Sequence, residues 1–307
     1  MSQVSLQQRS FPFSSAKDVL YAAKAFRPEQ LPLIPAAFKT IDDLLRNYKL
    51  LENQLFVDFV NEQLLITAQN YMQDVNVLFG ATALCYTMFS NYYVDGGLIN
   101  LVQPVVNYCQ AQGATINYGH EATAIVPGPK RYTITTNKSI FTSRFVVSGI
   151  PLNNTLALYA DAELCHRLQK YVLPSEKLNG AFTMSLVLRQ QPRPILHYQL
   201  HIPYGLPSIN SKSIFISFSH SSDKSRTSEG EQVASISTHI PDPEHNFIAN
   251  KAEIEQAILQ HLAQAGLVLP EHIVSYQSAT PGAWQFWTKR AFGAVGGYPQ
   301  YKNIKPW

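Results

Sequence analysis

The sequence predicts an α/β chain with α+β character, and three observations carry that expectation. Apolar residues recur at helical spacing between proline-rich joints through the first ninety positions. From Tyr92 a helical stretch leads into short strands with tight turns. Past Pro151, a helical segment precedes a succession of β-rich runs, and a further helix and strand follow them, the pattern of a sheet that carries helices.

Taken in order, Ser15 with Asp18, and Thr40 with Asp43, have the spacing of helix N-terminal caps. Ile41, Leu44, Leu45 and Tyr48 follow the second of these. A further helix is expected over Asn53–Ala68, where Leu55, Phe56, Phe59, Val60 and Leu64 form a wide apolar stripe suited to a core or to a hydrophobic wall. In the next segment Leu98, Leu101, Val102, Val105, Val106 and Cys109 trace one helical face, with Pro104 expected to kink it and Gly113 to end it. ATINYG, TAIVPG, RYTITTN and SIFTSRFVVSG read as strands, with TTNKS as a hairpin turn. A helix is expected through Leu156–Val172. Strands are expected at Ala181–Arg189, His197–Pro203, Ser213–His220, Gln232–Ile240 and His272–Gln277, with a helix at Ala252–Ala265 and an exposed connection at Ser221–Glu231. The divisions are thus 1–91 (helical), 92–151, 152–290 (a mixed sheet with helices) and 291–307.

The 307 residues are 46% hydrophobic and 15% charged, enough apolar material for a core. A net charge of +3 without clustered Lys and Arg excludes a nucleic-acid stripe. Cys85, Cys109 and Cys165 are too few and scattered for a disulfide framework, which suits a reducing compartment. With no secretory leader and no apolar run of about 20 residues, a cytoplasmic protein is expected, and peripheral membrane contact stays open. His197 and His201 fall in an alternating run, where four residues span about 13 Å, too far for one metal ion; no metal site is expected. Neither G-x-S-x-G nor H-E-x-x-H occurs, so hydrolase chemistry has no support.

Gly96 and Gly97 lie between a strand-like run and a helix, where glycines serve either as a turn or as a close approach to a ligand. Their surroundings, VDGGLINLVQPVVNYCQAQGATINYGHEATAIV, resemble a stretch of the flavin amine oxidases and their phytoene-desaturase relatives, in which a GG-led helix precedes strands at the adenine side of FAD. TSRFVVSGIP is similar to the strand that passes beside the cofactor there. TPGAWQFWTKRAFGAVGGYPQ resembles the T-P-x-T-F…G-x-x-x-G-x-P signature of the carotenoid desaturase and isomerase branch. The sequence departs from the family at Ala122, where Val is commoner, and at Ala283, where the branch often has Thr.

The resemblance covers about Tyr92–Gln300. It implies an incomplete FAD-binding domain with a mixed-sheet-plus-helices substrate domain. FAD contacts would come from Gly96, Gly97, Ala122, Ser148, Gly149, Pro151, Gly293, Gly296 and Gly297. The activity implied is hydride transfer between flavin and a long hydrophobic polyene or isoprenoid, with Trp284, Phe286 and Trp287 suited either to a tunnel or to the core. No catalytic side chain is assigned. No G-x-G-x-x-G follows an early strand and the family's late G-D segment is absent, so the FAD site is expected to be incomplete in this chain. A complementing polypeptide, a lipid- or polyene-binding module without redox chemistry, and an inactive fragment are the readings this leaves.

Overall fold

The computed structural model describes residues 35–88, 92–209, 211–246 and 250–302, with Glu29 and Leu33. The helix expected after Ser15 lies outside the described residues. The chain divides into two compact units, Met1–Tyr92 with Gly297–Trp307, and Tyr93–Gly296.

In the first unit a single turn of 3-10 helix (Pro35–Phe38) leads to α1 (Ile41–Asn47), α2 (Gln54–Ala68) and α3 (Val77–Cys85). Thr40 starts α1 as its sequence suggests: its hydroxyl accepts from the Asp43 backbone N–H, and the Asp43 carboxylate accepts from the Thr40 N–H at 2.9 Å. Asn53 caps α2 and Asn76 caps α3 through their side-chain oxygens. Ile41, Leu45, Val60, Leu64, Met72 and Val75 form the core between the helices. Gly80 on α3 lies so close to Ile41 that a Cβ would meet its side chain. The apolar stripe of α2 divides, with Val60 and Leu64 buried and Leu55 and Phe59 exposed. Gln300 ties the returning chain to α2: its N–H donates to the Ala68 carbonyl, and its own carbonyl accepts from Asn70 Nδ2, both at 2.9 Å.

The second unit holds two sheets. α4 (Ile99–Ala111) precedes an antiparallel meander of β1 (Ala122–Pro127), β2 (Tyr132–Thr136) and β3 (Ile140–Ser143). TTNKS makes the β2–β3 turn, where the Thr136 hydroxyl accepts from the Ser139 N–H. ATINYG forms no strand, and SIFTSRFVVSG is paired only as far as Ser143. The segment after Ser143 has strand-forming residues but no neighbouring strand among the described residues, and β propensity alone does not make a ladder. The helix expected through Leu156–Val172 is two, α5 (Leu152–Leu158) and α6 (Ala162–Gln169). Between them Tyr159 bridges Ile125 of β1, the Ala160 N–H donates to the Ile125 carbonyl, and Asp161 caps α6.

The larger sheet comprises β4 (Asn179–Arg189), β5 (His197–His201), β6 (Ser213–Phe218), β7 (Glu231–Pro241) and β8 (Ile273–Ala279), in the order β5-β6-β7-β4-β8. α7 (Lys251–Gln264) links β7 to β8, and α8 (Pro281–Thr288) follows β8. The expectation of a mixed sheet is corrected in its pairing: every hydrogen-bonded pair is antiparallel. The α7 crossover joins two strands that run in the same direction, but β4 lies between them, so they never pair.

Strand alternation gives this sheet two different faces. Phe182, Met184, Leu186 and Leu188 of β4 join Ile214, Ile216 and Phe218 of β6 and Ile236 and Ile240 of β7 in a closed core. Ile254, Ile258 and Leu262, four residues apart on α7, seal it, and each such burial stabilises by about 1.5–3 kcal/mol. Among the described residues no helix is long and apolar enough to cross a membrane. Replacing Leu186, fully buried at the centre of β4, with Ala is expected to cost about 2–5 kcal/mol in denaturant unfolding. Ser185→Ala, on the other face, is expected to cost well under about 1 kcal/mol.

Candidate functional site

The glycine pair sits in a turn that another loop holds in place. Gly96 and Gly97 have φ of 78° and 91°, so both positions favour glycine whatever they contact. A Cβ on Gly96 would strike the Asn100 side chain, and one on Gly97 would lie 2.7 Å from Arg226 Nη1. The chain's own side chains therefore fill the space beside both residues. Asp223, buried in the loop between β6 and β7, accepts from the Gly96 N–H at 2.9 Å and from the Tyr93 hydroxyl at 2.8 Å. Its other oxygen accepts from the Ser225 hydroxyl and N–H. These donors, the Ser225 hydroxyl foremost, hold the Asp223 carboxyl well below the ordinary carboxylate range.

Ser148, Gly149 and Pro151 lie at the start of α5. Ala122 begins β1 opposite Thr136, beside an irregularity in the register. The Ser148 and Thr155 hydroxyls meet at 2.7 Å, and Pro151 occupies the position before the first turn of α5. Gly149 has no atom within 4 Å of where a Cβ would stand, so its backbone is open to approach. Asn154 connects this group to the chain after α8: its Nδ2 donates to the Lys289 carbonyl at 2.7 Å and its Oδ1 accepts from the Ala291 N–H at 2.9 Å.

The closing glycines serve different ends. Gly293, at φ 63°, packs where any Cβ would run into the Pro281 carbonyl, which makes it structural. Arg290 donates to the Val295 and Gly296 carbonyls at 3.1 and 2.7 Å and so shapes the turn. Gly297 is unobstructed and is grouped with the first unit.

The open face of the larger sheet floors a cavity of about 590 Å³. Register places Gln277, Ser185, Ser235, Ser217 and His197 in one row across the strands. Thr183, Ser237 and Phe215 stand in the next row. Trp284 and Trp287 of α8 also line the cavity, and no charged residue does. The hydroxyls of Thr183, Ser185, Ser235 and Ser237 bond no other described residue. Ser217 is met by His197 Nδ1 at 2.9 Å. Of the three aromatics suited to a tunnel or to the core, Trp284 and Trp287 line this cavity and Phe286, which is exposed, does not; the floor of small hydroxyls was not foreseen. Elsewhere Glu176, Asp242 and His245 bring potential metal-ligating atoms within 4.8 Å of one another. Of these, His245 Nδ1 lies 2.6 Å from Asp242 Oδ2.

No protein-family profile matches the chain, and no curated protein matches it. Solved structures do. An oxidoreductase from Methanosarcina mazei is 16% identical, with a TM-score of 0.58 over 88% of this chain and 64% of its own. A Pyrococcus furiosus protein is 14% identical, with a TM-score of 0.54 over 80% of this chain and 61% of its own. Putrescine oxidase bound to putrescine is 12% identical, with a TM-score of 0.53 over 96% and 65%. The chain spans less than two thirds of each of them. At these identities the likeness defines the fold alone: over the aligned length, this chain is built like these three proteins.

Sequence reasoning did not find Asp223 or Asn154, because each acts on residues more than 120 positions away. Asn154→Ala is expected to lower stability by about 1–2 kcal/mol through two lost backbone contacts, read by thermal or denaturant unfolding. Asp223 predicts a pH effect. Its folded pKa is depressed, so its contribution is full above the unfolded value near about 4 and is lost as pH falls towards the folded value. Asp223→Asn is therefore expected to melt lower than wild type at pH 7, with the gap narrowing as the pH is taken below 4.

Proposed function

We propose that this chain forms the substrate sheet and part of the cofactor layer of an FAD-dependent oxidoreductase of the phytoene desaturase and carotenoid isomerase type. The observation that carries the reading is the uncharged cavity on the open sheet face, walled by Trp284 and Trp287, in a chain with an oxidoreductase fold. An ammonium substrate desolvated in such a cavity would find no carboxylate among the lining residues, whereas an uncharged polyene or isoprenoid needs none. The bound flavin would supply hydride transfer to or from that substrate.

The rest of the work falls to this chain's residues. Trp284, Trp287 and Phe215 offer apolar surface that orients a long ligand and excludes water. Of the residues suggested for FAD, the backbone at Gly149 offers unobstructed access, beside Ser148 and the start of α5. Gly96, Gly97 and Gly293 act as turn and packing residues whose neighbouring space is already filled. These residues would thus form part of a flavin site, with the pyrophosphate cradle supplied either by further residues of the same protein or by a complementing polypeptide.

Three measurements test the proposal. Residues 1–307 expressed alone are expected to purify colourless and to stay inactive with added FAD; stoichiometric flavin absorbance after gel filtration would overturn the incomplete site. In a preparation with the completed site, Gly149→Val is expected to reduce flavin loading with little change in melting temperature. The completed enzyme is expected to bind and convert a polyene; turnover of putrescine, with no affinity for polyenes, would replace this reading with an amine oxidase.

A further inference from the structure

A second cavity, of about 800 Å³, opens at the end of the larger sheet, and its lining residues do not overlap those of the first. Its polar lining is rich in hydrogen-bond donors, Arg193, His220, Gln190 and Gln191 among them, and no acidic side chain contributes to it. Arg193 is held on two sides. Its guanidinium carbon lies 3.8 Å from the centre of the Phe218 ring, and its Nε donates to Gln232 Oε1 at 3.3 Å. Gln232 is 2% exposed and is itself anchored by donating to the Ser219 carbonyl at 2.7 Å. The two terminal nitrogens of the guanidinium bond no described residue, and no described carboxylate lies within ion-pairing distance. Partial burial of this unpaired cation pushes its pKa down, though guanidinium stays charged at any physiological pH.

His220 adds a second polar group, its Nδ1 lying 2.6 Å from the Ser222 hydroxyl. The Ser222 backbone N–H donates to its Nδ1 at 3.2 Å. A backbone N–H only donates, and with Nδ1 accepting from it and from the Ser222 hydroxyl, the neutral ring carries its proton on Nε2. The ring is steadied further by the Tyr93 ring, with centroids 6.0 Å apart. Pro192, Pro194 and Leu196 give the same cavity an apolar rim.

From this geometry we infer a second ligand site, in which the Arg193 fork and the His220 Nε2–H bind the carboxylate of an organic acid whose apolar portion rests on Pro192, Pro194 and Leu196. A guanidinium fixed along its Nε edge and across its face loses little freedom on pairing, and its planar fork matches a carboxylate. One formal positive charge balances a monoanion, whereas a phosphate dianion would call for a second cation that the lining lacks. This inference is independent of the flavin reading and concerns residues of this chain alone.

Benzoate, benzamide and inorganic phosphate are the probes, titrated calorimetrically into the full chain at constant ionic strength. Benzoate is expected to bind, with benzamide at least about tenfold weaker because it lacks the charge that the fork pairs. Arg193→Met, which keeps apolar contact with Phe218, is expected to abolish benzoate binding. Arg193→Lys, which keeps the charge but not the fork, is expected to weaken it about tenfold. His220→Phe, which retains a ring beside Tyr93, is expected to weaken it severalfold. Unaltered binding in Arg193→Lys or His220→Phe, benzamide binding as well as benzoate, phosphate binding more tightly than benzoate, or no binding at all would overturn the proposal. Should Arg193→Met fail to fold, the comparison of benzoate with benzamide on wild type and Arg193→Lys still decides.

Discussion

The period-two alternation of β4 is the constraint on which the second unit depends. β4 pairs with β7 on one side and β8 on the other, so its register is fixed twice. Leu186 and its even-numbered neighbours enter the closed core, while Thr183 and Ser185 stand on the open face. A slip of one residue would drive hydroxyls into the core and expose leucines, a change that hydrophobic burial forbids. The same alternation that seats α7 therefore also builds the cavity floor. Fold and candidate site are two consequences of one strand.

Attached to this sheet is a layer held largely by polar contacts. Asp223 gathers the Tyr93–Gly96 turn, and Asn154 spans from α5 to the chain after α8. Hydrophobic burial contributes little there. α4 has no buried residue, and Leu98, Leu101, Val102 and Val105 are each more than half exposed. Val147, in the unpaired stretch after β3, is 94% exposed. Apolar surface of this extent beside strand-forming residues without a ladder is what an interaction layer presents.

What could be read from the sequence was what local chemistry decides. The Thr40–Asp43 capping box, the Thr136–Ser139 turn and the β-rich runs of β4, β6 and β7 each depend on residues a few positions apart. What could not be read needed a distant partner. Tyr159 and Ala160 leave the helical path because Ile125 offers them a bridge and a carbonyl, and nothing near residue 159 announces it. Phe145 to Gly149 has strand composition without a strand, because pairing belongs to two segments and not to one. The glycines divide on the same ground. Positive φ at Gly96 and Gly97 was foreseeable from a turn, but the presence of Asn100 and Arg226 beside them is a tertiary fact. Gly293 resembled a cofactor glycine, and its neighbour is the Pro281 carbonyl.

The two cavities of the larger sheet divide their chemistry in a physically consistent way. A ligand lying on the open face would remove water from whatever lines it. An ionised group there would then lose hydration with no partner of opposite charge in the lining. Hydroxyls are cheaper to desolvate, and each can rotate to meet a carbonyl or hydroxyl of an otherwise apolar ligand. The positive charge stands instead at the sheet's end, where Phe218 and Gln232 hold Arg193 in place. A cation so held gains most from a partner that arrives with its own negative charge and least from a neutral one. One sheet thus has an uncharged face and a cationic end, and a ligand suited to one would not satisfy the other.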